Sequence, residues 1–219
     1  MSRVRIKICG VTRAQDAAAA ADSGADAIGM IFHPPAPRNI STDRAREILA
    51  ALPPFVTPVG VFVDSAAEEI LDVAALLGLR TVQLNGEHTP DDVAELEGLI
   101  VIKAVRVTRE GLQRQLSLWR SLRPRNLTAL VMEPGNTGEA GGSGVANDWP
   151  AIAAAISASD FADLPPLIAA GGLKADTVAD VVRQLHPYAV DVSSGVEESL
   201  GVKSASKINE FVRAVRAAE

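Results

Sequence analysis

The sequence predicts an α/β protein, a single-domain (β/α)8 TIM barrel that spans residues 1–219. Short β-branched runs alternate with helical stretches from end to end, and strict alternation of this kind indicates a parallel sheet. Eight such units within 219 residues fit a closed barrel better than an open sheet. In addition, the first strand is followed by Gly10-Val11-Thr12-Arg13, which is not the G-x-G-x-x-G loop of an open dinucleotide-binding sheet.

The individual elements are assigned from local composition. Strands are short runs rich in Val, Ile and Leu, and helices are longer stretches rich in Ala, Leu, Arg and Glu. The predicted strands are 4–9, 27–32, 56–63, 81–84, 100–104, 127–132, 167–170 and 189–192. The predicted helices are 14–22, 42–52, 66–77, 90–96, 109–122, 149–157, 174–184 and 203–217. No linker or change in composition divides the chain, so we expect one domain.

Composition and charge exclude several classes of function. A net charge of −6 argues against binding to nucleic acid or to an acidic membrane surface. A small phosphorylated ligand remains compatible, because backbone N–H groups bind phosphate without net positive charge. One cysteine allows neither an internal disulfide nor a cysteine-based metal cage, and we predict no metal site. No signal peptide or membrane-spanning stretch is evident, which predicts a cytoplasmic protein.

The single cysteine, Cys9, ends the first predicted strand. Because side chains alternate along a strand, Lys7 and Cys9 share one face and point the same way. A neighbouring ammonium favours the thiolate, which is the form that acts as base or nucleophile. The alternative is a small buried hydrophobe, as most free cysteines are. This segment alone leaves both interpretations open.

Other polar residues are predicted to face the interior of the barrel. Thr81 and Gln83 share one face of strand four, Lys103 points inward from strand five, and Asp191 points inward from strand eight. A buried charge requires a partner or a ligand. Lys7 and Asp191 form a plausible pair, because the first and last strands of a closed barrel are neighbours. This pair could be purely structural or part of an active site.

Three loops have the composition of phosphate-binding loops. Barrels commonly bind phosphate between the loops that follow strands seven and eight. Glycine lets the backbone approach the oxygens, and serine adds a hydroxyl donor. A third glycine cluster lies in the long loop over residues 134–145, after strand six. The candidate phosphate ligands are Gly171, Gly172, Ser193, Ser194 and Gly195, with Gly142 and Ser143 in the long loop.

Six segments spread over nearly the whole chain resemble the motifs of one family, the phosphoribosylanthranilate isomerases. They are Lys7-Ile8-Cys9-Gly10, Ser23-Gly24-Ala25-Asp26-Ala27-Ile28-Gly29, Pro58-Val59-Gly60-Val61-Phe62-Val63, Val82-Gln83-Leu84, Gly141-Gly142-Ser143-Gly144 and Val190-Asp191-Val192-Ser193-Ser194-Gly195-Val196-Glu197. The resemblance implies an aldose–ketose isomerase of tryptophan biosynthesis that uses no cofactor. Its reaction would be the Amadori rearrangement of N-(5-phosphoribosyl)anthranilate to 1-(2-carboxyphenylamino)-1-deoxyribulose 5-phosphate.

The resemblance also implies roles for particular residues. The family's general base, a cysteine that removes the C2′ proton, corresponds to Cys9. The arginine that binds the anthranilate carboxylate corresponds to Arg38, and the aspartate near the substrate corresponds to Asp191. Lys7 and Gln83 are further candidate substrate-binding residues in the matched motifs. The phosphate loops correspond to Gly171-Gly172 and Ser193-Ser194-Gly195.

Two positions depart from the family pattern. The family usually has an aspartate at the end of strand six as general acid, where this chain has Glu133. A glutamate can replace it if its carboxyl lies within hydrogen-bond reach, and Glu139 is the second candidate. The family usually has a histidine at the position of Asn85, and an amide does not titrate.

Other functions remain open at this stage. A metal-dependent pentose-phosphate epimerase requires clustered His and Asp ligands, whereas His33, His88 and His186 lie on separate elements. The related histidine-pathway isomerase would have aspartates where this chain has Cys9 and Glu133. A barrel that binds phosphate but has lost its acid is a third alternative. The sequence is compatible with a monomer or a homodimer.

Overall fold

The computed structural model describes residues 3–107, 111–134, 147–157 and 163–219. Eight parallel strands form a closed barrel in chain order, and β1 pairs with β8. The strands are β1 (Arg5–Ile8), β2 (Ala27–Phe32), β3 (Thr57–Val63), β4 (Thr81–Asn85), β5 (Ile100–Val107), β6 (Leu127–Pro134), β7 (Leu167–Ala170) and β8 (Ala189–Val192). The predicted (β/α)8 barrel is therefore confirmed, with strand ends that differ from the prediction by at most three residues.

Helices follow the strands around the outside of the barrel. They are α1 (Ala14–Asp22), α2 (Thr42–Ala50), α3 (Ala67–Leu77), α4 (Pro90–Glu95), α5 (Leu112–Ser121), α6 (Trp149–Ser157), α7 (Val178–Leu185) and α8 (Ala205–Ala218). Local signals define their ends: Ser41 and Thr89 cap α2 and α4 through their side chains, and Gly78 ends α3 in the left-handed conformation. Among the described helices, none has the length and apolar character that a bilayer crossing requires.

The chain after β8 differs most from the prediction. A 3-10 helix (Ser194–Val196) follows β8, and β9 (Glu197–Ser199) pairs antiparallel with β10 (Val202–Lys203). The last helix therefore begins at Ala205, where the Ser204 side chain accepts from the backbone of Lys207. The predicted helix over 203–217 started too early, because Lys203 belongs to this small hairpin.

Two apolar layers position the site. The larger layer lies between strands and helices and includes fully buried Phe62, Leu84 and Phe211. The smaller layer fills the barrel interior. Its members are Cys9, Val59, Val61, Ile102, Ala104, Ala129, Val131, Ile168, Ala170 and Ala189. Polar side chains of this interior layer are therefore held by packed apolar neighbours.

The predicted inward orientation of Lys103 is wrong. Ile102 and Ala104 belong to the interior layer, so Lys103 points outward, where its Nζ lies 5.9 Å from the ring centroid of Trp119 in α5. The pairing of β5 with β6 shifts register between Val101 and Ile102. The side chains of β5 nevertheless alternate regularly, because Val101 and Val105 lie in the layer between strands and helices. The prediction therefore had the alternation right and assigned the two faces of the strand the wrong way round.

Candidate active site

Cys9 lies at the C-terminal end of β1, on the face of the barrel where active sites are built. Its backbone N–H donates to the carbonyl of Val192 at 2.8 Å, and the residue is buried. Gly29 on β2 provides the space beside it: a Cβ there would lie 2.8 Å from Cys9 Sγ and 3.3 Å from Lys7 Cε. A glycine at position 29 therefore allows the thiol and the ammonium to share the interior.

Lys7 and Asp191 form the predicted buried ion pair. The two residues are register partners in the β1–β8 pairing, and Lys7 Nζ donates to Asp191 Oδ2 at 2.8 Å. Asp191 Oδ1 is buried and has no hydrogen-bond partner among the described residues. Burial alone would lower the pKa of Lys7, but the Asp191 carboxylate and the Cys9 thiol together raise it above its ordinary value. Lys7 is therefore a fixed cation in the interior of the barrel.

The pKa of Cys9 is raised, although the sequence suggested that Lys7 would favour the thiolate. Burial is the largest cause of the increase, and the Asp191 carboxylate adds to it. The charge of Lys7 and its hydrogen bond lower the pKa, as does the charge of Lys203, but these effects are smaller than the cost of burial. Lys7 therefore lowers the pKa of Cys9 as expected, but the desolvation of the thiolate raises this pKa by more.

Glu133 and Asn85, the two departures from the family pattern, are in contact. Asn85 Nδ2 lies 3.0 Å from Glu133 Oε1 and 3.0 Å from Glu133 Oε2, so the amide donates to both carboxyl oxygens. Gln83, two residues earlier on β4, donates from Nε2 to Asn85 Oδ1 at 3.0 Å. The Oε1 of Gln83 has no hydrogen-bond partner among the described residues. A short polar chain thus runs from inside the barrel to the carboxyl at the end of β6.

The surroundings of Glu133 raise the pKa of its carboxyl. Burial is the largest cause, and the charge of Asp191 raises the pKa further. The hydrogen bond from Asn85 lowers the pKa, as do the charges of Lys7 and Lys103. Cys9 and Glu133 both respond to the Lys7–Asp191 pair. The thiol and the carboxyl therefore belong to one site, and both favour their protonated forms.

Arg38 lies in a second polar cluster next to this site. Its Nε and Nη2 donate to the two carboxyl oxygens of Glu197 at 2.7 and 2.8 Å, and Lys203 Nζ donates to Glu197 Oε1 at 2.8 Å. Lys203 also donates to the backbone carbonyl of Ser193 at 3.1 Å. A Cβ at Gly10 would lie 2.5 Å from Arg38 Cδ. The turn after Cys9 is thus packed directly against the arginine.

The loops after β7 and β8 meet at the expected phosphate position. Gly171 and Gly172 both have positive φ, +97° and +62°, which favours glycine. A Cβ at Gly195 would lie 2.0 Å from the carbonyl oxygen of Leu173, so the two loops touch at Gly195 too closely for a side chain at that position. Ser193 and Ser194 lie on the second loop, half-buried. The other predicted phosphate ligands, Gly142 and Ser143, and the second acid candidate, Glu139, lie outside the described residues.

Comparison with known proteins assigns the family. A profile of the N-(5′-phosphoribosyl)anthranilate (PRA) isomerases matches residues 6–214. A protein of that name from Pseudomonas putida is 42% identical over 219 residues, with both chains covered completely. One from Stutzerimonas stutzeri is 43% identical, covering 99% of each chain. This chain belongs to the PRA isomerase family.

Solved structures of PRA isomerases share the fold. The Thermotoga maritima enzyme superimposes with a TM-score of 0.86 at 36% identity, covering 98% of this chain and 99% of the other. A PRA isomerase in complex with reduced 1-(o-carboxyphenylamino)-1-deoxyribulose 5-phosphate has a TM-score of 0.83 at 36% identity, with the same coverage. The family predicted from the sequence motifs is confirmed.

Sequence reasoning missed three residues of the candidate site. Glu197 ends a matched motif, yet nothing in its spacing predicted an ion pair with Arg38, 159 residues away. Lys203 was assigned to a helix rather than to the site. Asn147 is buried, and its Nδ2 donates to the carbonyls of Ala170 at 2.8 Å and Met132 at 3.3 Å. Its place just before the predicted helix over 149–157 was the only sequence signal for Asn147, whose side chain links the ends of β6 and β7.

Proposed function

We propose that this protein converts N-(5-phosphoribosyl)anthranilate to 1-(2-carboxyphenylamino)-1-deoxyribulose 5-phosphate in tryptophan biosynthesis, as a cytoplasmic single-domain enzyme without a cofactor. The observation that carries the proposal is that a thiol, Cys9, and a carboxyl of raised pKa, Glu133, both interact with the same Lys7–Asp191 pair. An Amadori rearrangement requires a general acid and a general base within one site. Family membership supports the choice of substrate.

In the first step, Glu133 acts as general acid. It donates its proton to the ring oxygen of the ribose as the bond from that oxygen to C1′ breaks. The nitrogen lone pair forms the new C1′–N double bond, which leaves an open-chain iminium ion and a Glu133 carboxylate. Because burial raises the pKa of Glu133, its carboxyl keeps a proton at a pH where an exposed glutamate would have lost it.

In the second step, Cys9 acts as general base. The thiol first releases its own proton to solvent, and the thiolate then takes the proton from C2′. The C–H electron pair forms the C1′–C2′ double bond, and the iminium electrons return to nitrogen. The resulting enolamine tautomerises to the ketone. The positive charge of the iminium ion stabilises the nearby thiolate, and Lys7 contributes in the same direction. Burial thus makes the thiolate costly in the free enzyme, and the substrate's own charge favours it during the reaction.

The remaining candidates hold the substrate. The loops with Gly171, Gly172 and Ser193 to Gly195 bind the phosphate through backbone N–H groups and hydroxyls. Arg38 binds the anthranilate carboxylate, in keeping with the bidentate geometry that arginine offers to carboxylates, and Glu197 keeps its guanidinium in place. Asp191 Oδ1 accepts a hydrogen bond from a hydroxyl of the opened sugar; this oxygen has no other partner among the described residues.

Turnover by the wild-type protein and by Cys9→Ala tests this assignment. The loss of substrate fluorescence measures the rate, and we expect Cys9→Ala to lower kcat by about 10²–10⁴-fold, the usual contribution of a positioned acid or base. Because Cys9 is the only cysteine, a thiol-alkylating reagent should inactivate the wild type, and bound product analogue should protect it. Full activity in Cys9→Ala would refute the role of the base. Binding of the reduced product analogue without any wild-type turnover would indicate a barrel that has lost its catalytic function.

A further inference from the structure

We infer that Asn85 is a positioning residue that orients Glu133 and sets the acidity of its carboxyl. The inference rests on the proposed role of Glu133 as general acid. Asn85 ends β4 and Glu133 lies on β6, so β5 separates their strands in the barrel. Their contact therefore crosses the rim of the barrel above β5.

The geometry of the contact fixes the Glu133 carboxyl. One amide nitrogen lies 3.0 Å from both oxygens, so a displacement of the carboxyl away from Asn85 would lengthen both contacts at once. The amide itself cannot turn freely, because Gln83 donates to Asn85 Oδ1. If the Asn85 amide were reversed, its oxygen would face the carboxylate and its NH₂ would face another donor. The Gln83 donor on one side and the carboxyl oxygens on the other therefore both favour the orientation in which Asn85 presents its N–H groups to Glu133.

The chemistry of the amide suits a proton donor. Burial raises the pKa of Glu133, and the Asn85 hydrogen bond is the largest influence in the opposite direction. A neutral amide has no proton to exchange in the working pH range. It can therefore stabilise the carboxylate left after proton donation without competing for the proton. Without Asn85, the carboxyl would hold its proton more strongly and would be a weaker acid.

The titration of Glu133 tests the inference without any need for turnover. The infrared carbonyl band of its protonated carboxyl is identified by its absence in Glu133→Gln. In Asn85→Ala we expect the midpoint pH of this band to rise by about one unit or more, as for loss of a hydrogen bond to a charged group. Asn126→Ala is the matched control, since Asn126 Nδ2 also donates two hydrogen bonds, to the carbonyls of Val93 and Leu96. An unchanged midpoint in Asn85→Ala would overturn the inference.

A double-mutant cycle provides the kinetic test. Glu133→Asp withdraws the carboxyl by about 1.5 Å, beyond reach of the Asn85 amide. In the wild-type background we expect Asn85→Ala to lower kcat about tenfold with little change in KM, and in the Glu133→Asp background to lower it much less. Equal effects in both backgrounds would show that Asn85 does not act through Glu133. If Asn85→Ala does not fold, Asn85→Ser, which retains one donor, should give a smaller shift in the same direction.

The two parts of the proposal can fail separately. Full kcat in Glu133→Gln would refute the acid role of Glu133, whatever its pKa. A shifted carbonyl band in Asn85→Ala, with unchanged kcat, would show that Asn85 tunes a carboxyl that does no chemistry. Loss of kcat in Asn85→Ala without a shift of the band would mean that Asn85 acts on the substrate itself, and would overturn the positioning role.

Discussion

Glu133 and Glu197 are two glutamates near the same end of the barrel, and their pKa values move in opposite directions. Burial raises the pKa of both. For Glu197, the hydrogen bonds and charges of Arg38 and Lys203 outweigh burial, and the pKa falls below its ordinary value. For Glu133, an amide is the only hydrogen-bond partner identified among the described residues, and the pKa rises. Burial acts on both carboxyls in the same direction, and the charged partners reverse its effect only at Glu197.

Nearby cations do not form hydrogen bonds to Glu133 in the described structure, because each is engaged elsewhere. Lys7 is paired with Asp191 at 2.8 Å. Lys103 points outward and donates to the backbone carbonyls of Gly86 and Ala104, each at 2.8 Å. Burial lowers the pKa of Lys103 to about 8. Both lysines lower the pKa of Glu133 only through space, so its carboxyl can stay protonated.

The largest effect that separates the two glutamates should appear in Glu133→Gln. The amide keeps the shape of the side chain but cannot donate a proton to the ring oxygen, so we expect kcat to fall by about 10²–10⁴-fold. The free energy of unfolding should be unchanged or higher, because a buried ionisable group has been removed. Steady-state kinetics and urea denaturation measure the two quantities. A kcat within a few-fold of wild type would assign the acid to another group, with Glu139→Gln as the next variant to examine.

The second effect concerns stability and should appear in Glu197→Gln. Without the carboxylate, the buried side chains of Arg38 and Lys203 both lose this charged partner, and the loss of one partner of a buried ion pair costs about 3–5 kcal/mol. Urea denaturation should show this as a lower free energy of unfolding. The neighbouring Glu198 is exposed, so Glu198→Gln is the matched control and should differ from wild type by less than about 0.5 kcal/mol. Equal stabilities of the two variants would show that the ion pairs of Glu197 with Arg38 and Lys203 do not stabilise the fold.

The sequence predicts the surroundings of Glu133 better than those of Glu197. Alternation along β1 and β8 placed Lys7, Cys9 and Asp191 correctly, because β1 and β8 are direct neighbours with a regular register. The position of Glu133 at the end of β6 followed from the predicted strand over 127–132 and from the family resemblance. Its contact with Asn85 was not, because it crosses the rim over β5 and depends on the lengths of two side chains.

The cluster around Glu197 illustrates what local pattern cannot predict. Arg38 and Glu197 are 159 residues apart, and their meeting depends on how the loop after β2 folds over the turn at Gly10. Lys203 enters the cluster because β9 and β10 form a hairpin, and these strands are only three and two residues long. Periodicity is too weak over such short elements to assign them. For Lys103 the alternation along β5 was predicted correctly, but alternation alone does not say which of the two faces points into the barrel.

The smallest effect that distinguishes the two glutamates is the pH dependence of their contributions to stability. For Glu133, whose folded pKa is raised, the folded state binds more protons than the unfolded state above the ordinary value of 4.5. Its contribution to the free energy of unfolding therefore falls as pH rises from 4.5 through the folded pKa. For Glu197, whose folded pKa is lowered, the contribution is complete above 4.5 and is lost as pH falls through the folded pKa.

Urea denaturation of wild type, Glu133→Gln and Glu197→Gln over about pH 3–8 separates the two contributions. The stability of wild type relative to Glu133→Gln should decrease as pH rises above 4.5, by about 1.4 kcal/mol for each unit by which the pKa is raised. The stability of wild type relative to Glu197→Gln should instead decrease as pH falls below 4.5. Two difference curves with the same sign of slope would mean that both carboxyls are held in the same protonation state. The distinction between Glu197 as an ion-paired carboxylate and Glu133 as a proton donor would then be wrong. Opposite slopes would tie the role of each glutamate to its partner, because burial acts on both in the same direction.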